Sequence, residues 1–128
     1  MKTIILAVLL CFSFNCFADE WSKADSYREA TYLTFLAVDW AQTCNISRNY
    51  APCVNGSNPY HCSEQNSYLG DHPTLGAVNR YFLVTATLHA GVSYLLPEKY
   101  RAPFQYVTIG VEGGYVAYNF SIGISAKF

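Results

Sequence analysis

Charge is scarce in this chain. Asp, Glu, Lys and Arg together make 13% of the 128 residues, against about 25% in ordinary soluble domains. Acids and bases nearly cancel, at a formal net charge of −1, and no basic stripe with interleaved aromatics occurs, so nucleic acid is excluded as a partner. Also missing are G-x-S-x-G, H-E-x-x-H, a P-loop, a G-x-G-x-x-G after a strand and paired C-x-x-C motifs. An enzymatic reading therefore rests on scattered residues, and no cofactor is expected. The length of 128 residues leaves room for one small domain.

What is abundant is apolar: 52% of residues. Part of this is a leader. Residues 1–18 read as a secretory signal peptide, with Lys2 as the basic n-region, Ile4 to Phe14 as the h-region and Cys16-Phe17-Ala18 as a small-x-small site before Asp19. The segment before Cys16 lacks the Leu-small-small residues of a lipoprotein site, and the apolar run is short for an uncleaved anchor. Residues 19–128 then form a single domain in an oxidising compartment. There Cys53 and Cys62 are expected to be bridged inside a polar loop, with zinc binding by Cys53, His61 and Cys62 as the rival. Cys44 is left over, as a buried thiol or an intermolecular bridge.

The spacing predicts an all-α arrangement of three helices organised around a helical hairpin. Ser26 and Glu29 have capping-box spacing for a helix over 26–46. A loop over 47–73, rich in Asn, Ser, Pro and Gly, follows. Two apolar arms over 74–96 and 103–119 are joined by a short polar turn. Each arm is about long enough to cross a ~30 Å hydrocarbon core, so a membrane-embedded hairpin is expected, with a helical pair inside a soluble bundle as the competing reading. Lys99 and Arg101 in the turn would keep it cytoplasmic and the cysteine loop periplasmic. Gly110, Gly113 and Gly114 would permit close helix approach. The tail over 120–128 alternates apolar with small or polar residues, a strand period. A terminal Phe on such a tail invokes an outer-membrane barrel, but no comparable set of alternating segments precedes it.

Polar residues repeat at helical spacing on the apolar segments. Asp39 with Gln42, Asn79 with His89, and Glu112 with Asn119 are expected to share one interior, with His89 facing Glu112 across the hairpin. Two carboxylates and an imidazole (Asp39, His89, Glu112) could ligate a metal or relay protons, but as satisfied polar groups they would simply lock helix register. No metal site is assigned.

The pieces Asp39-Trp40-Ala41-Gln42-Thr43, Gly70-Asp71-His72-Pro73, Val78-Asn79-Arg80-Tyr81-Phe82 and Leu96-Pro97-Glu98-Lys99-Tyr100-Arg101, with Asn119 and Ser121-Ile122-Gly123-Ile124, resemble a family of small signal-peptide-bearing envelope proteins of proteobacteria and their phages. The most specific parts are the Asp-Trp-x-Gln-Thr run and the Gly-x-His-Pro turn. Ser67 stands where members tend to have proline, and the Cys53–Cys62 segment looks like an insertion. The resemblance implies an envelope location and no activity. The expected role is interaction at the inner membrane, with lipid, itself or another envelope protein as partner. Its rival is a soluble periplasmic domain with hydrolase or metal-binding use of Asp39, His89 and Glu112.

Overall fold

A computed structural model describes residues 20–49, 52–55, 58–61, 66–70 and 73–127, with backbone alone for residue 49 and for the two strands. Three helices carry the fold: α1 (Lys23–Asn49), α2 (Leu75–Leu95) and α3 (Glu98–Ser121). Between α1 and α2 a two-stranded antiparallel ribbon, β1 (Pro52–Asn55) and β2 (Asn58–His61), pairs Cys53 with Tyr60 and Asn55 with Asn58. The long loop thus contains a ribbon. The signal peptide and Cys62 lie outside the described residues, as does any Cys53–Cys62 bridge.

Helix α1 starts one turn earlier than its Ser26–Glu29 pair suggests. Ser22 is the true cap: its hydroxyl accepts from the Asp25 amide at 3.1 Å, and the Asp25 carboxylate accepts from the Ser22 amide at 2.9 Å. This is the reciprocal exchange of a capping box. Glu29 is released from capping and turns inward. Thr74 caps α2 by accepting from the Ala77 amide. The turn between the arms shrinks to Leu96-Pro97, because Pro97 supplies the start of α3, its carbonyl accepting from the amides of Tyr100 and Arg101. Pro103 sits inside the helix on its exposed side.

The far end of α3 closes with a Schellman motif. Ile124 donates to the Asn119 carbonyl and Gly123 to that of Phe120, with Gly123 at φ +90°, a conformation that glycine adopts without a Cβ penalty. Ile124 is then buried against Ile46 and Ile122. The alternation read as a strand is therefore a helix cap followed by a short extended tail. That tail lies on the end of α1, where Gln42 and Asn45 donate to the carbonyls of Ile124 and Ser125.

Helix α1 packs along both other helices, most extensively along α3, whereas α2 and α3 meet least. The bundle is organised around α1 rather than around the hairpin. Gly113 lies against the Phe35 ring, which a Cβ added there would meet at an ordinary contact distance of 3.6 Å, while Gly110 and Gly114 face open space. Among the described residues no helix is long and apolar enough to cross a membrane. This corrects the membrane-spanning hairpin, and the physical reason is composition: Asn79, Arg80 and His89 interrupt α2, and Arg101, Gln105, Glu112 and Asn119 interrupt α3.

Candidate functional site

The apolar core is small, comprising Tyr32, Leu36, Cys44, Val78 and Phe82, with Ile46 and Ile124 packed separately. Beside it the interior holds Asp25, Glu29, Gln42, Thr43, Asn45, His89, Ser93, Arg101 and Gln105. Buried polar groups are tolerated only when hydrogen-bonded, and these form two constellations at opposite ends of α1.

The first lies beneath the Leu96-Pro97 turn. Asp25 accepts from both the amide and the hydroxyl of Ser22, from Arg28 and from Arg101, the last at 3.1 Å. Arg101 is fully buried and also donates to the carbonyls of Ser93 and Leu96. Its charge is thus internal, which removes it from the topology argument based on the turn. Burial alone would push the Asp25 carboxyl up, but the two Ser22 hydrogen bonds and Arg101 outweigh it and hold the group at about 2. Arg28 continues the chain to Gln105 at 2.8 Å, and Gln105 donates to Glu29 at 3.1 Å. Glu29 in turn meets His89 Nδ1 at 2.9 Å.

His89 faces Thr108, whose Oγ1 lies 2.8 Å from Nε2. The imidazole is sandwiched between Tyr32, at 3.5 Å between centroids, and Phe104. Hydroxyl, imidazole and carboxylate stand in relay order, yet Thr108 also donates back to the helix carbonyls of Phe104 and Gln105. None of the three residues lines the cavity beside Trp40 or the one beside Glu112. The arrangement fixes the alignment of three helices. His89 pairs with Glu29 and Thr108 rather than with Glu112: Thr108 precedes Glu112 by one helical turn, and the acidic partner arrives from α1.

The second constellation joins α1 to the end of α3. Asn119 donates to Asp39 at 3.0 Å and to Gln42 at 3.1 Å, and Gln42 donates to the Val116 and Ile124 carbonyls. Glu112 faces the same region, and burial, with the nearby Asp39 charge, pushes its carboxyl up to about 7. Its Oε1 is buried with no hydrogen-bond partner among the described residues. Asp39 and Glu112 both line a cavity of about 430 Å³.

Of the six polar residues picked out by spacing, the structure brings together Asp39, Gln42, Glu112 and Asn119. Asn79 is exposed and accepts from the Trp40 indole at 2.8 Å, and His89 belongs to the other constellation. Asp39, His89 and Glu112 do not share a site, and among the described residues no group of three or more metal-ligating side chains forms. Sequence reasoning missed Asp25, Glu29 and Arg101 as buried partners. A signal was present, because Asp25 and Glu29 continue, one turn at a time, the stripe that carries Tyr32 and Leu36. No family model, curated protein or solved structure matches this chain.

Proposed function

We propose that this is a small cell-envelope protein that acts by interaction rather than catalysis, and that the outer faces of α2 and α3 lie against a lipid bilayer. The observation that carries the reading is an inverted distribution of polarity. The exposed residues from Leu83 to Leu95 and from Pro103 to Ser121 include no charge, while Leu83, Leu88, Tyr106, Val107, Val111 and Tyr115 are each more than half exposed. Exposed charges among the described residues sit at the ends or rim of the bundle: Glu20, Lys23, Glu98 and Lys99 near the turn, and Arg48, Arg80 and Lys127 toward the other end.

An apolar face of this extent marks a membrane or partner surface. Tyrosines supply an apolar ring with a polar tip suited to the headgroup layer. Lipid contact of this kind needs no independent span, so it is compatible with helices too polar to cross a bilayer. Export through residues 1–18 would bring the face to the periplasmic side of the inner membrane, and an accessory role such as exclusion of a competitor or assistance in lysis suits that location.

Flotation with vesicles of phosphatidylethanolamine and phosphatidylglycerol tests the proposal. The mature chain should rise with the vesicles, and Leu88→Glu combined with Val111→Glu should leave it at the bottom with unchanged helical circular dichroism. A wild-type chain that stays at the bottom, including one that dimerises through this face instead, overturns the reading, as does undiminished flotation of the variant.

A further inference from the structure

We infer that the cavity bounded by all three helices and the 66–68 turn is a binding site for a small organic ammonium ion, held between the Asp39 and Glu112 carboxylates and tyrosine rings. The cavity measures about 430 Å³, enough for an amine of a few carbon atoms. Both acids line it, and among the described residues no Lys, Arg or His does. Asp39 receives the Asn119 amide, whereas the buried Glu112 Oε1 has no donor among the described residues. A buried acceptor without a donor is costly, and an ammonium group would supply the missing N–H.

Tyr81, Tyr115 and Tyr118 contribute to the wall, and the strongly exposed Tyr68 stands at the mouth. Aromatic faces attract ammonium ions even where they are partly exposed, though less strongly than in a dry site. A hard metal ion is served less well, because calcium takes six to eight oxygen ligands and two carboxylates are the only anionic groups in the lining among the described residues. The alkyl part of an amine would instead find Leu36, Phe82 and the ring carbons.

The Glu112 carboxyl, held up at about 7 by burial and by Asp39, makes the site report on its own occupancy. A cation beside it draws the proton off, so binding should tighten as pH rises through neutrality. The expected change is about tenfold between pH 6 and pH 8, the ratio of ionised fractions for a group titrating near 7.

The test is a titration of the mature chain with n-butylammonium chloride in lipid-free buffer, followed by nuclear magnetic resonance of the tyrosine ring carbons at pH 6 and pH 8. Butan-1-ol serves as the uncharged control. The expected result is saturable movement of several tyrosine signals by the amine, about tenfold tighter at pH 8, with the alcohol at least tenfold weaker. Glu112→Gln, which keeps the shape of the side chain, should bind at pH 8 more weakly than the wild type does at pH 6 and lose the pH dependence. Absence of saturable binding overturns the assignment. So does equal binding of the alcohol, which would make the cavity merely apolar, or a Glu112→Gln chain that binds like the wild type. The lipid-facing reading is untouched by any of these outcomes, since no vesicle is present.

Discussion

Asp25 Oδ2 lies 3.1 Å from Arg101 Nη1, with 76 positions of chain between them and with both side chains almost wholly shielded from water. Such a pair adds little over a well-packed apolar pair, but breaking it strands a buried charge at a cost of about 3–5 kcal/mol. Asp25→Asn, which leaves the fully buried Arg101 without its counter-ion, should therefore destabilise the fold by that amount in urea denaturation. Adding Arg101→Met to Asp25→Asn should recover about 1–2 kcal/mol, because the stranded charge is then removed.

The same carboxylate sets an acid limit. Asp25 is held at about 2 in the folded chain, below its unfolded value near 3.9, so the unfolded state binds more protons between these values. The Asp25 contribution is fully present above about pH 4 and is lost as pH falls toward 2. Thermal unfolding of the wild type and of Asp25→Asn should converge over that window and stay parallel above it.

Glu112 carries the opposite sign. Its folded value near 7 exceeds the unfolded value near 4.3, so the folded state holds the proton more tightly and stability falls as pH rises from about 4.5 to about 7. Glu112→Gln should remove that decline and be about 1–2 kcal/mol more stable than the wild type at pH 8, the partly open cavity screening the full linkage value. Chemical denaturation at pH 5 and pH 8 checks it.

These charges also mark how far the sequence could be read. The helical segments were legible because apolar residues recur at the right period. Their ends were not, because Ser22–Asp25 and Ser26–Glu29 both offer a hydroxyl three residues before an acid, and the choice between them depends on Arg101 arriving from α3. The Asp39–Gln42–Asn119 contact was legible as polar residues on the inner faces of two helices. The His89 partner was not: register along a helix fixes the face that His89 presents, but only packing against α1 reveals that Glu29 occupies it. The tail misled because a Schellman cap places Ile122 and Ile124 two residues apart, which mimics a strand.

Gly123 and Ile124 offer a test of that cap. A Cβ at φ +90° is strained by about 1 kcal/mol, so Gly123→Ala should lower stability by that amount. Ile124→Ala empties a site only 2% exposed and should cost about 2–4 kcal/mol. Thermal melts rank the two.

Cys44 is a buried free thiol, and burial raises its pKa, so it should react with iodoacetamide only as fast as the protein opens. Cys53 and Cys62 should be joined to each other. Mass spectrometry of the unreduced chain after alkylation, run with and without chelator, should find Cys44 alone labelled after unfolding. Two further labelled cysteines would refute the bridge.

The central place of α1 has a consequence for the order of assembly. It is the first of the described helices to emerge, yet Asp25, Glu29 and Gln42 find partners 60 to 82 positions later. Until α2 and α3 have arrived, Asp25 has only Ser22 and Arg28 beside it, and Glu29 and Gln42 lack their long-range partners, so a lone α1 has no reason to collapse early. Contacts of such long sequence separation make folding slow and all-or-none. On the proposed export route the chain would stay open, and so threadable, until its final residues are delivered.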